Sequence, residues 1–161
     1  MRPDVSQEFW EDWEYMVFGL RYGPKAVPRT PDEEGVEPRK PPSETWLEFE
    51  KMEQKFFCHG EIERRSPTEL MMFSMQGVAL AIERRDWARG RHYSDLLLRD
   101  PRFDELGPSD QPWALQSRAY LEQVSGHPQS ATPFIVQLEA MDTELSRTMV
   151  EGLRFTEPDQ K

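Results

Sequence analysis

The sequence predicts an all-α protein with about six helices, in which helical hairpins pack as a short repeat-like array or as an irregular bundle. Two observations predict this class. Several segments place apolar residues three and four positions apart between capping residues and prolines, which is typical of amphipathic helices. No segment alternates apolar and polar residues between turn residues, as a half-buried strand does. The 161 residues are enough to bury one hydrophobic core.

The N-terminal segment predicts an acidic amphipathic helix over about residues 7–21. Asp4 or Ser6 can cap its N-terminus, because either side chain accepts a hydrogen bond from a free backbone N–H. Trp10 and Trp13 lie on its apolar face, which carries more aromatic surface than a lone terminal helix needs. The helix therefore either folds back onto the protein's own core or docks into a groove of another chain. In the second case, Trp10 and Trp13 are predicted partner-binding residues.

A proline-rich segment with six prolines follows at residues 24–42. This composition buries too little apolar surface to order itself, so it predicts a linker, either a flexible tether or a segment that becomes ordered on a partner. The predicted organisation is an N-terminal helix at 1–23, a linker at 24–42, a helical domain at 43–155 and a tail at 156–161.

The next helix is predicted over about residues 44–58, with Trp46 and Phe49 on its apolar face. Gly60 suits the left-handed position that commonly follows a helix. Cys58 lies at the end of the apolar face and is predicted to pack as a small apolar side chain.

A helical hairpin is predicted from Ser66 to Pro101. Ser66 is a suitable N-cap, Pro67 takes the first helical position, where a missing N–H is harmless, and Glu69 completes a capping box. The wide, methionine-rich apolar face of this helix indicates burial on most sides. A second helix begins near Trp87 and ends before Pro101, because a residue that precedes proline disfavours the α region.

Two further helices are predicted towards the C-terminus. Ser109 caps the first, which runs from Trp113 to Val124 and tolerates Pro112 in its first turn. The last helix begins at Thr132-Pro133, and one apolar stripe continues along it. The stripe consists of Phe134, Leu138, Met141, Leu145 and Met149.

Two segments between residues 74 and 124 resemble parts of a tetratricopeptide repeat. The inter-helix turn and second helix of such a repeat resemble Asp86-Trp87-Ala88-Arg89-Gly90, Tyr93, Leu97 and Asp100-Pro101. The first helix of the following repeat is similar to Trp113-Ala114-Leu115, Ser117 and Tyr120. The resemblance implies a protein-interaction module with no chemistry of its own.

The hairpin is locally basic in an acidic protein. The net charge is −10, yet residues 63–102 hold eight arginines against six acids, so the flanks carry a charge of −12. Arginine pairs bidentately with carboxylate or phosphate and stacks on aromatic rings. The predicted partner-binding cluster at the hairpin turn consists of Arg84, Arg85, Trp87, Arg89 and Arg91.

Three interpretations of this cluster are open. The arginines can pair with the protein's own acids, including Glu83, Asp86 and Asp95, in surface pairs worth roughly 0–1 kcal/mol each. They can bind an acidic protein partner, which a single cluster favours. They can also contact nucleic-acid phosphates, although the net charge disfavours nonspecific nucleic-acid or membrane binding.

No catalytic, metal or cofactor site is predicted. The sequence contains no glycine-rich phosphate loop, no GxSxG and no HExxH motif, and its three histidines are scattered. The single cysteine cannot form an internal disulfide, and neither a membrane span nor a signal peptide is evident, so a cytoplasmic location is predicted. The sequence therefore predicts a noncatalytic protein–protein interaction module, an adaptor or accessory subunit of a larger complex, with no small-molecule substrate. The alternative is a helical subunit of a nucleoprotein complex that contacts phosphates through its arginines.

Overall fold

The computed structural model describes residues 4–18, 42–58 and 60–156. Within these ranges the regular secondary structure is entirely helical, which confirms the prediction of an all-α protein. Residues 24–41 of the predicted linker lie outside the described residues, as do residues 19–23 of the predicted N-terminal segment and residues 157–161 of the predicted tail.

Seven α-helices and two short 3₁₀ segments occur in the described part of the chain. The α-helices are α1 (Gln7–Phe18), α2 (Pro42–Phe56), α3 (Pro67–Arg84), α4 (Trp87–Leu98), α5 (Gln111–Val124), α6 (Pro128–Met141) and α7 (Glu144–Arg154). The 3₁₀ segments are Ile62–Arg64 and Phe103–Glu105. In the described ranges, no helix is both long and apolar enough to cross a membrane.

The chain divides into two compact units, Met1–Glu69 and Leu70–Lys161. In the first unit, α1 packs on α2. Phe9 is fully buried and meets the rings of Phe56 and Phe57 edge to face, with centroid distances of 5.4 and 6.0 Å. Edge-to-face contact is a favourable arrangement for aromatic pairs. The first helix thus packs on a helix of its own chain.

Side-chain caps fix two helix N-termini within the first unit. The predicted capping box of α3 is confirmed, because the Ser66 hydroxyl accepts from the Glu69 N–H at 3.1 Å and the Glu69 carboxylate accepts from the Ser66 N–H at 3.0 Å. The predicted cap of α1 by Ser6 is also confirmed, since its hydroxyl accepts from the Phe9 N–H. The same hydroxyl donates to the Glu69 carboxylate at 3.0 Å. Glu69 therefore ties the two N-termini together.

Cys58 is exposed, so the prediction that it packs as a small apolar side chain is wrong. Helix α2 ends at Phe56, and the turn that follows places the neighbouring Phe57 in the core instead. The larger ring buries more apolar area than the thiol would. Gly60 is left-handed as predicted, with φ of 85°, but it does not cap α2, because the helix ends four residues earlier at Phe56.

In the second unit, α5 packs on α4, α6 and α7. Its buried residues Leu115 and Ala119 join Leu138, Val150 and Leu153 in one apolar cluster. Helix α3 contacts α4 through Phe73 and Tyr93, whose ring centroids are 5.8 Å apart, and the hydroxyl of Ser74 donates to the carbonyl oxygen of Tyr93 at 2.6 Å.

Gly90 marks a close approach of α4 to its neighbours. A Cβ atom added there would lie 3.1 Å from Cδ1 of Leu121 and 3.4 Å from Cβ of Ala81. We expect Gly90→Val to lower the free energy of unfolding by about 2–3 kcal/mol, because the added methyl groups have no space in a close-packed core. Urea unfolding measures this. The matched control is Gly152→Val, since a Cβ at Gly152 in α7 meets nothing within 4 Å. Equal effects of the two substitutions would contradict the packing described for α4.

The single C-terminal helix that the apolar stripe predicts is two helices in the structure. Helix α6 begins at Pro128 and contains Pro133. It ends at Met141, and the next residue, Asp142, is left-handed with φ of 49°. Thr143 then caps α7 in a capping box with Ser146. The prediction was wrong because the apolar spacing continues across the break, whereas the local capping groups end one helix and start another.

Candidate functional site

The backbone of the turn between α3 and α4 is fixed at the C-terminus of α3. Arg85 is left-handed, with φ of 57°. Its N–H donates to the carbonyl oxygen of Ile82 at 3.0 Å, and the N–H of Asp86 donates to the carbonyl oxygen of Ala81 at 2.9 Å. These two bonds form the Schellman motif that commonly closes a helix. Arg85 therefore occupies the left-handed position of this motif.

Asp86 fixes the other side of the turn. Its carboxylate accepts a hydrogen bond from the N–H of Arg89 at 3.3 Å and caps the N-terminus of α4. Helix α4 thus begins immediately after α3 ends, and the backbone is hydrogen-bonded on both sides. The side chains at the turn extend from a backbone of defined conformation.

Four of the predicted partner-binding residues lie at this turn. Arg84 and Arg85 are exposed, whereas Trp87 and Arg89 are partly buried. The Nη2 atom of Arg89 donates to the hydroxyl of Tyr93 at 3.3 Å, and its guanidinium lies 6.0 Å from the centroid of the Tyr93 ring. We call the set Arg84, Arg85, Trp87 and Arg89 the arginine turn.

Arg91 lies away from the arginine turn and faces α5. Its Nε donates to the carboxylate of Glu122 at 2.7 Å, and its Nη2 donates to the hydroxyl of Ser125 at 3.0 Å. The Glu122 side chain is only 4% exposed, so its carboxylate is largely removed from water, whereas the Arg91 side chain is 30% exposed. For Arg91, the interpretation in which the cluster pairs with the protein's own acids holds, with Glu122 as the acid.

Arg118 extends this ion pair into a network between α4 and α5. Its Nε donates to the carboxylate of Glu122 at 3.2 Å, and its Nη1 donates to that of Asp95 at 2.7 Å. The Arg118 guanidinium also lies 5.2 Å from the ring centroid of Phe134. The sequence interpretation missed Glu122 and Arg118, which are four residues apart on one face of α5, a spacing that suits an ion pair.

The predicted site residues of α1 lie in the first unit. The rings of Trp10 and Trp13 are stacked, with centroids 5.7 Å apart, and both residues are partly buried. On the same helix, Glu8 and Asp12 each lie 2.8 Å from Nζ of Lys55. The hydrogen bonds that Lys55 donates to Asp12 and Glu8 raise the pKa of Lys55, and the one to Asp12 has the larger effect. The hydrogen bond from Lys55 also lowers the pKa of Glu8. The predicted site residues are therefore divided between the two units.

A cleft of about 600 Å³ opens beside α4, α5 and α6 in the second unit. Leu115, Phe103 and Phe134 contribute apolar surface to its lining, and Arg118 and Asp95 contribute charged groups that are bonded to each other. No part of the sequence interpretation pointed to this cleft, because its lining comes from three helices and the Phe103–Glu105 segment. Across the described residues, no group of three or more His, Cys, Asp or Glu side chains could hold a metal ion.

Comparison with known proteins gives no match to a family model, a curated protein or a solved structure. The resemblance of residues 74–124 to tetratricopeptide repeats therefore stays a prediction from the sequence. The arginine turn is a candidate binding site, because its backbone is hydrogen-bonded on both sides and two of its arginines are exposed.

Proposed function

We propose that the protein is a noncatalytic protein–protein interaction module, an adaptor or accessory subunit of a larger complex, and that the arginine turn contacts its partner. One observation carries this proposal: the turn presents Arg84 and Arg85 to solvent from a backbone that is hydrogen-bonded on both sides. Because the backbone of the turn is already ordered, binding costs little backbone conformational entropy there, so more of the interaction energy contributes to affinity.

The charge distribution favours an acidic protein surface as the partner. The turn lies in a segment with a charge of +2, whereas the remaining residues carry −12. A local basic patch attracts an acidic surface and orients it during association. The surrounding negative charge repels a polyanion such as nucleic acid over a much larger area. A protein partner therefore suits this distribution better than a nucleic acid does.

Aromatic side chains support the same interpretation. Arg89 is held against Tyr93, and Trp87 is half-buried beside the arginines at the first position of α4. Tryptophan, tyrosine and arginine are the residue types that most often dominate binding energy at protein interfaces. Trp10 and Trp13 remain proposed contacts of the first unit, because both residues are only partly buried.

Arg91 has a supporting role in this proposal. Its ion pair with Glu122 holds α4 on α5, so its substitution would test folding rather than recognition. Variants designed to test the arginine turn should therefore keep Arg91.

The test is affinity capture of binding proteins from a lysate of the source organism, with nuclease added to remove nucleic acid. We expect the wild-type protein to capture a partner that Arg84→Ala/Arg85→Ala/Arg89→Ala fails to capture. Arginine-to-alanine truncation at an interface centre removes both the charge and the packed side-chain stem. Mass spectrometry with quantification of each captured protein gives the ratio between variants.

The matched control is Arg99→Ala/Arg147→Ala/Arg154→Ala. It makes the same change of net charge in the same unit, at exposed arginines whose ion pairs with Asp95, Asp142 and Glu139 are largely solvated. We expect this control to capture the partner as the wild type does. Equal loss in both variants would mean that net charge alone drives binding. A parallel capture without nuclease tests the nucleoprotein alternative, which a species captured only in the absence of nuclease would support.

A further inference from the structure

Arg85 has a backbone conformation that its residue type disfavours. Among the described residues, φ is positive at Gly60, Gly126, Asp142 and Arg85. Glycine adopts this region without a steric penalty, and aspartate tolerates it because its short side chain can hydrogen-bond locally. The long arginine side chain has neither advantage. At the left-handed position of a Schellman motif, glycine is the usual residue.

We infer that Arg85 is the anchoring residue of the arginine turn and that it binds a carboxylate in an acidic peptide segment of the partner. This inference rests on the proposed function, and it names the group that the turn recognises. A strained residue persists when the surrounding structure holds it in place, and such residues concentrate at ligand-binding sites and switches. Arg85 is an exposed residue of the turn, next to the exposed Arg84.

The charge pattern around Arg85 favours separate carboxylates over a phosphate backbone. Glu83 is exposed two residues before Arg85, and Asp86 follows it directly. These acids would repel the continuous, evenly spaced charges of a nucleic acid. A peptide can instead place one or two carboxylates at the arginines and uncharged residues opposite Glu83 and Asp86. Specificity of this kind depends on where charges are absent as well as where they are present.

The left-handed backbone allows a test in which stability and binding change in opposite directions. Arg85→Gly relieves the unfavourable φ and removes the guanidinium. We expect the melting temperature of the full chain to rise by about 2–4 °C. We expect the affinity for an acidic peptide to fall about tenfold or more, as truncation of an anchoring arginine does.

The probes are a fluorescein-labelled hexapeptide with two glutamates separated by glycines, called the acidic peptide, and a hexanucleotide of thymidine. Each is titrated against the full chain at physiological ionic strength and followed by fluorescence anisotropy. Asp142→Gly is the matched control, because it makes the same left-handed-to-glycine change in the same unit and leaves the arginine turn intact. We expect the acidic peptide to bind the wild type and the control equally, and to bind Arg85→Gly more weakly.

Three results would overturn the inference. The acidic peptide could fail to bind the wild type, or it could bind Arg85→Gly as tightly as the wild type. The hexanucleotide could also bind more tightly than the acidic peptide and lose that affinity in Arg85→Gly. If a captured partner still depends on the arginine turn in any of these cases, the proposed function stands and only the role of Arg85 fails. If no captured protein depends on the turn, the proposed function fails as well.

Discussion

Glu122→Ala is expected to lower the free energy of unfolding by about 3 kcal/mol or more, because it leaves two arginines without their shared carboxylate. The Glu122 side chain is 4% exposed, and Arg118 and Arg91 are 12% and 30% exposed. Removing one member of a mostly buried ion pair leaves the remaining charge desolvated and uncompensated. Arg91 is more accessible to water than Arg118, but Arg118 keeps its ion pair with Asp95 at 2.7 Å, so both arginines should contribute to the effect. Chemical denaturation of the two proteins gives the difference.

Glu139→Ala is the matched control for this substitution. Glu139 lies in α6 of the same unit and pairs with Arg154 at 3.7 Å, with both side chains at least half exposed. A solvated pair of this kind contributes less than about 1 kcal/mol. If Glu122→Ala destabilises the protein no more than Glu139→Ala does, the network between α4 and α5 is not the structural element described here.

Phe9→Ala is expected to lower the free energy of unfolding of the first unit by about 3–5 kcal/mol. Its ring is fully buried and contacts Phe56 and Phe57, so truncation removes apolar burial and leaves a cavity that the surrounding rings fill only in part. Tryptophan fluorescence follows this unfolding, because Trp10, Trp13 and Trp46 all lie in the first unit.

Leu47→Ala provides the comparison, since Leu47 lies in α2 of the same unit and is 55% exposed. Its truncation should change the free energy of unfolding by about 0.5 kcal/mol or less. A similarly small effect of Phe9→Ala would show that α1 does not pack on α2 in solution. The alternative, in which the first helix docks into a groove of another chain, would then be favoured.

Some helix ends whose signals lie within a few residues could be predicted from the sequence. The predicted cap of α5 by Ser109 is wrong, because Asp110 precedes that helix and no side chain caps it. The capping box of Ser66 and Glu69 and the left-handed Gly60 depend on side chains three positions apart or on one residue type, so the local sequence determines them. The break at Asp142 was missed because the continuous apolar stripe suggested one long helix. Its signal is also local, since Thr143 precedes Ser146 at capping-box spacing.

The candidate site could be predicted only in part. Arg84, Arg85, Arg89 and Arg91 have similar neighbours in the sequence but different environments in the structure. Arg91 differs because it pairs with Glu122, which is thirty-one residues away in the sequence. No local pattern contains that information, because it depends on how α4 packs against α5. The left-handed conformation of Arg85 could not be predicted either, because the sequence alone gives no reason to expect arginine at a position that suits glycine.

The most direct measurement of the central proposal is titration calorimetry of the purified captured partner against three proteins. These are the wild type, Arg84→Ala/Arg85→Ala/Arg89→Ala and the charge-matched Arg99→Ala/Arg147→Ala/Arg154→Ala. The proposal requires the first variant to bind at least about tenfold more weakly than the wild type, while the charge-matched variant binds as the wild type does. Equal affinities for the two variants would contradict a binding site at the arginine turn.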